Sequence, residues 1–482
     1  MLTKSDFLLF RKAPMHLWAK AHRKLEINEQ TDFSRFLADQ GYDVEGLAIK
    51  YFHEILLPRY PDAELIWQHT YADGIFAARS DGIIHDKKDD AYDVFEIKQS
   101  TKIDSENEYD ITYQTLVYQA NLPIRNVHIL HLNKEYVRQG EIDLEELFVI
   151  DNLNEVVEKR AEEVRQLREL AYQVVTIDNP SHVEACTNPD KCPCPSLCHP
   201  DLPQYPIYDL MGAKGVTLKK LRNCGLINLI DITDETHLSE KQEHQIEAVR
   251  CNTPYVDTIS LQNELNSLTF PIYFLDYETC GFAIPLFDGY KPQKPMVFQY
   301  SLHILDEQGT LTHNEYLSIT QEDPCPPLLE KLSTEIGPEG SVLVWNKTFE
   351  TGRNSEMAER YPEYADFLTG VNQRIYDLAD PVKDGVIIHP DFHGSWSIKN
   401  VLPVLVSGLT YKGLDISKGD QAMSAWLKLI HNITLDDEPD WIKGNDHEQI
   451  KHSMLKYCEL DTLAMVEILK AITHGLITET IS

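Results

Sequence analysis

Two acid-bearing strand patterns, far apart in the chain and each followed by polar residues at helical spacing, restrict what this sequence can fold into more than any other feature. In the run Asp93 to Lys98 the apolar Phe95 and Ile97 alternate with Val94, Glu96 and Lys98, so a strand of period two sets Glu96 and Lys98 side by side on one face. Asp81 precedes it on an upstream strand, and Gln114-x3-Tyr118 follows, one helical turn apart. In the second pattern, Ile272 to Thr279, Phe274, Asp276 and Glu278 share one face and Leu275 and Tyr277 the other. A buried-type strand, Val342 to Trp345, then leads into Asn346-Lys347-Thr348-Phe349-Glu350, and Tyr457-x3-Asp461 lies near the end. Strands alternating with helical segments in this way predict an α/β architecture twice over.

The chemistry of each set is specific. Asp81 and Glu96 are candidate ligands for Mg²⁺ or Mn²⁺, beside Lys98, which can polarise an attacking water or stabilise charge developing on phosphorus. Asp276, Glu278, Glu350 and Asp461 have the order needed to bridge two divalent ions roughly 3.5–4 Å apart, with Tyr457 placed to orient water.

Length sets the domain expectation. A chain of 482 residues exceeds one ordinary core, and the reading is three parts: residues 1–203, a polar helical connector over 204–268, and residues 269–482. In the first part helical patterns run into the fifties. Strands are expected around Ile75 to Ile84, Tyr92 to Ile97 and Val127 to Leu132, with helices through Gln114 and over Leu153 to Tyr172. The N-terminal apolar run Phe7 to Phe10 is too brief for a secretory or membrane segment, so a cytoplasmic location with no membrane partner is expected.

A net charge of −33, from 44 basic and 77 acidic residues, argues against a protein that coats nucleic acid by general electrostatics. Cations must then be concentrated along a substrate path; candidates are Arg11, Lys12, Lys20, Arg23 and Lys24, then Lys214, Lys219, Lys220 and Arg222, then Lys291, Lys294, Lys347 and Arg353. None of the nine cysteines precedes Cys186, and Cys186, Cys192, Cys194 and Cys198 crowd one loop with Pro189, Pro193 and Pro195. Such crowding points to metal ligation by thiolates, iron–sulfur or zinc.

The set Asp81, Glu96, Lys98, Gln114 and Tyr118 resembles the catalytic core and helical motif of the RecB-like branch of the PD-(D/E)XK superfamily, to which the CRISPR-associated RecB-type exonucleases also belong. The resemblance implies a restriction-endonuclease-like fold and a 4Fe-4S cluster held by three late cysteines, matched by Cys186, Cys192 and Cys198, and one early cysteine, where this chain has Ala13. The fourth ligand is then Cys194, or the site holds Zn²⁺, with His199 as a further ligand, or it is lost. That branch often adds a His on an early helix; Glu45 and His53 lie in the matching region but in no clear motif.

The set Asp276, Glu278, Glu350, Tyr457 and Asp461 resembles the tyrosine-bearing DEDD exonucleases on the RNase H-like fold, with Glu350 where many members carry Asp and Lys456 where the histidine-bearing subclass places its base. With His131 to Phe148, Lys291 to Ile304 and Gly394 to Leu405, these motifs resemble a bacterial family of largely uncharacterised proteins that fuses a RecB-like nuclease to a YprB-like DEDD domain. Lys214 to Ile232, turning at Gly225, is similar to a helix-hairpin-helix connector, a plain helical spacer being the alternative. The resemblance implies a metal-dependent nuclease, an exonuclease acting on DNA in repair, recombination or defence. The alternatives are RNA 3′-end processing by the C-terminal domain, or an inactive nucleic-acid-binding or scaffold protein.

Overall fold

The computed structural model describes residues 1–26, 32–233, 238–431 and 446–473, so residues 234–237 of the expected connector and the last residues of the C-terminal part lie outside it. The chain is mixed α/β and divides into two compact units, Met1–Asp201 with Gly281–Lys294, and Leu202–Cys280 with Pro295–Ser482. No described helix is long and apolar enough to cross a membrane.

In the first unit, β1 (Leu2–Thr3), β3 (Thr70–Asp73) and β4 (Phe76–Arg79) form a small sheet in the order β1-β4-β3. The main sheet has the order β2-β5-β6-β7-β8, from β2 (Ala63–Trp67), β5 (Gly82–Asp86), β6 (Ala91–Lys98), β7 (Ile124–Leu132) and β8 (Phe148–Asn152). The stretch expected as one strand around Ile75 to Ile84 is therefore two, β4 and β5, in different sheets, with Asp81 in the bend between them. Strand β6 pairs antiparallel with β5 and parallel with β7, and the helix Ser105–Gln119 makes the crossover that a parallel pair requires.

Alternation along β6 sorts its side chains between two cores. Val94 joins Val127, Ile129 and the helix 105–119 residues Ile111 and Val117, with Val157 and Val164 from the helix Asn154–Thr176. Phe95 joins Leu130 and Leu132 on the opposite face, under Val44, Ala48 and Tyr51 of the helix Asp32–Tyr51. Residues 281–294, which the sequence reading assigns to the C-terminal part, group with this unit: Arg138 Nη1 donates to the carbonyls of Pro285 (2.7 Å) and Leu286 (2.9 Å).

In the second unit the main sheet has the order β12-β11-β10-β13-β14. With the short β9 (Tyr255–Val256) and β15 (Ile387–Ile388), its strands are β10 (Ile272–Gly281), β11 (Pro295–Leu305), β12 (Leu311–Leu317), β13 (Val342–Val344) and β14 (Ile375–Asp377). Successive residues Phe274 and Leu275, like Leu343 and Val344, are fully buried, the signature of strands covered on both faces. Phe298 of β11 stacks on Trp426 at 4.4 Å, and the long helix His447–Ala471 packs on β11. The segment expected as a connector contains the helices Gly215–Asn223, Glu240–Cys251 and Thr258–Leu265 and groups with this unit, where β9 pairs antiparallel with β15. Gly225, at φ +78°, turns the chain after the first of these helices, a conformation open to glycine at no steric cost.

Candidate functional site

The register of the first unit brings its acid set together. Gly82 lies opposite Phe95, so the antiparallel register carried one residue further brings Asp81 beside Glu96, and the Ile97 amide donates to Asp81 Oδ2 at 2.9 Å. Glu96 and Lys98, neighbours on one face of β6 as expected, bond at 2.8 Å. Gln114 Nε2 donates to Glu96 Oε2 at 2.8 Å, and the Tyr118 hydroxyl donates to Gln114 Oε1 at 2.6 Å. All five expected residues therefore occupy one locus.

Two further residues belong to this cluster that the motif reading passed over. Asp110, one turn before Gln114, accepts from Lys98 Nζ (2.7 Å) and Gln114 Nε2 (2.9 Å). Lys4, at the start of the helix Lys4–Lys12, reaches Glu96 Oε1 at 2.6 Å. Three carboxyls thus face two ammonium groups in a nearly dry site.

The charges respond unequally. Burial pushes the Glu96 carboxyl up, but Lys98 and Lys4 outweigh it and hold the group well below the usual range. Asp81, buried and beside the Glu96 charge, is pushed up to about 7, and burial raises Asp110 as well. Burial raises the Tyr118 phenol, keeping it protonated as a donor. Glu45, by contrast, accepts from Gln68, and His53 is exposed; neither joins the cluster.

The hydrogen bonds already made show which oxygens are left for a divalent ion. Glu96 Oε1 already serves both lysines, so an ion would be held by Asp81 and by the lone pair that Gln114 leaves open on Glu96 Oε2.

The second acid set is held differently. Ligand oxygens of Asp276, Glu278 and Asp461 all lie within 4.8 Å of one another. Asp276 and Glu278 leave β10 on one face, and Asp461 comes from the helix His447–Ala471 one turn beyond Tyr457. The Tyr411 hydroxyl donates to Asp461 Oδ1 at 2.6 Å, and the Cys458 thiol points at Asp276 Oδ2 from 3.8 Å. Lys399 Nζ, held by the Ser417 carbonyl at 2.6 Å, donates to the Tyr457 hydroxyl at 3.2 Å. No described lysine or arginine forms an ion pair with these three carboxylates, so burial first, and then each other's charge, raise Asp276 and Glu278 well above the carboxylate range. Asp461 rises to about 6, chiefly through burial. The donors of such a group suit a divalent cation.

Glu350 is placed apart. It opens the helix Lys347–Arg360, is buried, and lies outside the group of three, although its charge is felt at Asp276. Its Oε2 has no hydrogen-bond partner among the described residues, and burial pushes the carboxyl up to about 8. Lys399 and Tyr411 were not singled out from sequence, although Lys399 sits in the quoted segment Gly394 to Leu405.

At the cysteines the structure assembles a different set from the expected four. Cys186, Cys192 and Cys198 gather with His16, while Cys194, 3.7 Å from Cys198, stands outside that group. His16 lies three residues after Ala13, on the helix Pro14–Ala21. His199 Nε2 is 3.1 Å from the Cys186 sulfur. None of the nine cysteines forms a disulfide.

Several cations expected along a substrate path are engaged within their own unit. Arg11 stacks on Tyr109 at 3.2 Å, Lys20 pairs with Asp6 at 2.8 Å, Lys291 approaches Glu135 at 3.5 Å and Arg353 pairs with Glu356 at 2.9 Å.

Residues 273–397 match a family described as a domain of unknown function (DUF2779). The chain is also similar to an uncharacterized protein, UU173, of Ureaplasma parvum serovar 3, 29% identical over 299 residues, 55% of this chain and 40% of that protein. An uncharacterized protein, MG366, of Mycoplasma genitalium is 26% identical over 226 residues, 43% of this chain and 32% of that protein. The chain thus spans less than half the length of these curated relatives.

Proposed function

We propose that this chain is a metal-dependent nuclease that hydrolyses phosphodiester bonds of DNA, with its principal centre at Asp276, Glu278 and Asp461. On this reading the first unit is a RecB-like PD-(D/E)XK domain and the second an RNase H-like DEDD exonuclease domain of the tyrosine type. The observation that carries it is the convergence of the carboxylates of Asp276, Glu278 and Asp461 within 4.8 Å, with no ion-pairing lysine or arginine among the described residues. Like charges so placed are relieved by a bound cation or by a proton, and at neutral pH a divalent cation is the stronger partner.

Mg²⁺ or Mn²⁺, when bound there, supplies Lewis acidity for an in-line displacement at phosphorus. The chain's own residues do the rest. Asp276 and Glu278 share a rigid strand whose neighbours are buried, so their oxygens are set by the sheet rather than by a loop. Tyr457, its phenol kept protonated by burial and by the Asp461 charge, is placed to orient water, and Lys399 donates to that hydroxyl and brings a positive charge felt at Glu278 and Asp461. Glu350 contributes a fourth carboxyl, itself buried, whose Oε2 has no partner among the described residues and can accept.

A second reading applies to the first unit. Lys4 and Lys98 already neutralise Glu96, which favours a centre that binds nucleic acid, or needs Lys4 displaced, before it cleaves.

The test is cleavage of end-labelled single-stranded DNA, duplex DNA and RNA with Mg²⁺ or Mn²⁺, comparing wild type with Asp276→Asn, Glu96→Gln and the double variant. Loss in Asp276→Asn assigns the activity to the second unit, loss in Glu96→Gln to the first, and a preference for RNA 3′ ends selects the ribonuclease alternative. No cleavage of any substrate, or cleavage retained by the double variant, refutes the proposal.

A further inference from the structure

We infer that His16, Cys186, Cys192 and Cys198 form a closed, single-ion zinc site that fastens the N-terminal helices to the loop ending the first unit, independently of whether the chain is a nuclease.

Packing decides between one ion and a cluster. The four ligand atoms all lie within 4.8 Å of one another, and the four residues are between 6% and 8% exposed. A tetrahedral ion with bonds of about 2.3 Å to sulfur and about 2.0 Å to nitrogen sets its ligands roughly 3.5–3.8 Å apart. His16 Nε2 and Cys192 Sγ, 3.4 Å apart, already lie within about 0.1 Å of the nitrogen–sulfur edge of that tetrahedron. A four-iron cluster places each ligand on a separate iron at a separate corner, and so needs them spread more widely than this group is.

Donor chemistry then selects the ion. Three soft thiolates and one imidazole in tetrahedral array suit zinc, and four protein ligands leave no open position for substrate or water, as in a structural site. Three thiolates exceed the charge of a divalent ion by one, and the ring of His199, 3.1 Å from Cys186 Sγ, is placed to donate its N–H to that sulfur. Cys194 is fully buried beside Cys198, but it is not needed to complete the set.

The surroundings tie the two ends of the unit together. Ala13, Met15, Trp18 and Ala19 pack in one apolar cluster with the cysteines, the Met15 amide donates to the Glu184 carbonyl at 3.0 Å, and Trp18 Nε1 donates to the Ile177 carbonyl at 2.8 Å. The helix carrying His16 follows directly on the helix whose first residue is Lys4, and Lys4 contacts Glu96. Zinc held here therefore also holds Lys4 in the acid cluster.

The test uses the full chain, produced with both iron and zinc supplied, and reads metal and acid-labile sulfide by direct analysis. The expected result is one zinc per chain without sulfide. Exchange with Co²⁺ should give the ligand-field spectrum of a tetrahedral three-thiolate site. His16→Ala should lose stoichiometric metal, His16→Cys should retain it with a cobalt spectrum shifted toward four thiolates, and Cys194→Ser should match wild type in both readouts. Iron with matching sulfide, a wild type that binds no metal, or a Cys194→Ser loss equal to that of Cys186→Ser would overturn the inference. The His16→Cys and Cys194→Ser pair decides the question even where His16→Ala fails to fold.

Discussion

Replacing Glu278 by Gln should stabilise the metal-free protein while removing most of the stabilisation that Mg²⁺ confers. Ligand oxygens of Asp276, Glu278 and Asp461 lie within 4.8 Å of one another, and at an effective dielectric of about 20 each fully ionised pair at that distance repels by about 3.5 kcal/mol. The cluster can escape part of this by taking up a proton. For Asp461, raised to about 6, protonation at pH 8 costs about 2.7 kcal/mol, so this group stays ionised and any proton goes to Asp276 or Glu278. Gln keeps the shape of Glu and removes its charge, so the second unit should gain about 2–3 kcal/mol in EDTA, or roughly 5–10 °C in Tm. Saturating Mg²⁺ at about a hundred times its Kd should add about 2.7 kcal/mol to wild type and much less to the variant. Thermal melts followed by circular dichroism, with EDTA and with Mg²⁺, read all four states. A variant less stable than wild type in EDTA, or equal gains from Mg²⁺ in both proteins, would refute the view that these acids form an uncompensated cation site.

Other consequences can be measured in the same way. Arg125 donates to the buried Asp93 through Nε (3.0 Å) and Nη2 (2.6 Å), and Arg125→Ala should cost about 2–3 kcal/mol at neutral pH. Burial pushes Asp93 up, but Arg125 and Asn126 outweigh it and hold the folded pKa below the unfolded one. This contribution is therefore present above the usual 3.8 and lost as pH falls through the folded value, and denaturant titrations of the two proteins should converge in acid. Lys4→Ala frees one side of Glu96 Oε1; it should destabilise the metal-free first unit by about 1.5–3 kcal/mol and raise its Mn²⁺ affinity, measured by calorimetry in an Asp276→Asn background that silences the other centre. An unchanged Mn²⁺ affinity would show that Lys4 does not compete with the ion. Gly340→Ala should destabilise by more than about 2 kcal/mol, since a Cβ there, at φ +92°, would meet the Pro271 carbonyl oxygen at 2.0 Å; wild-type melting would contradict the geometry.

Much of the two acid sets was legible because their spacing is local. Period two on β6 and β10 sets Glu96 beside Lys98 and Asp276 beside Glu278, and one helical turn sets Gln114 beside Tyr118 and Tyr457 beside Asp461. Asp110 was readable by the same rule, one turn before Gln114, and went unused because the motif begins later. Boundaries were harder to read. The run around Ile75 to Ile84 looks like one strand, yet its halves pair with different partners, a choice made by the two sheets and not by composition.

The sequence by itself determined the mixed α/β class, the two acid-bearing strands and the crowding of late cysteines, because side-chain periodicity and chain proximity are local properties. Only the tertiary structure brought Lys4 to Glu96, His16 to Cys186, Cys192 and Cys198, and Lys399 to Tyr457, while leaving Glu350 and Cys194 outside their expected groups. Those pairings join residues tens to well over a hundred positions apart. They depend on where helices dock against sheets, and that is set by the burial of whole apolar faces rather than by the identity of the polar residues carried with them.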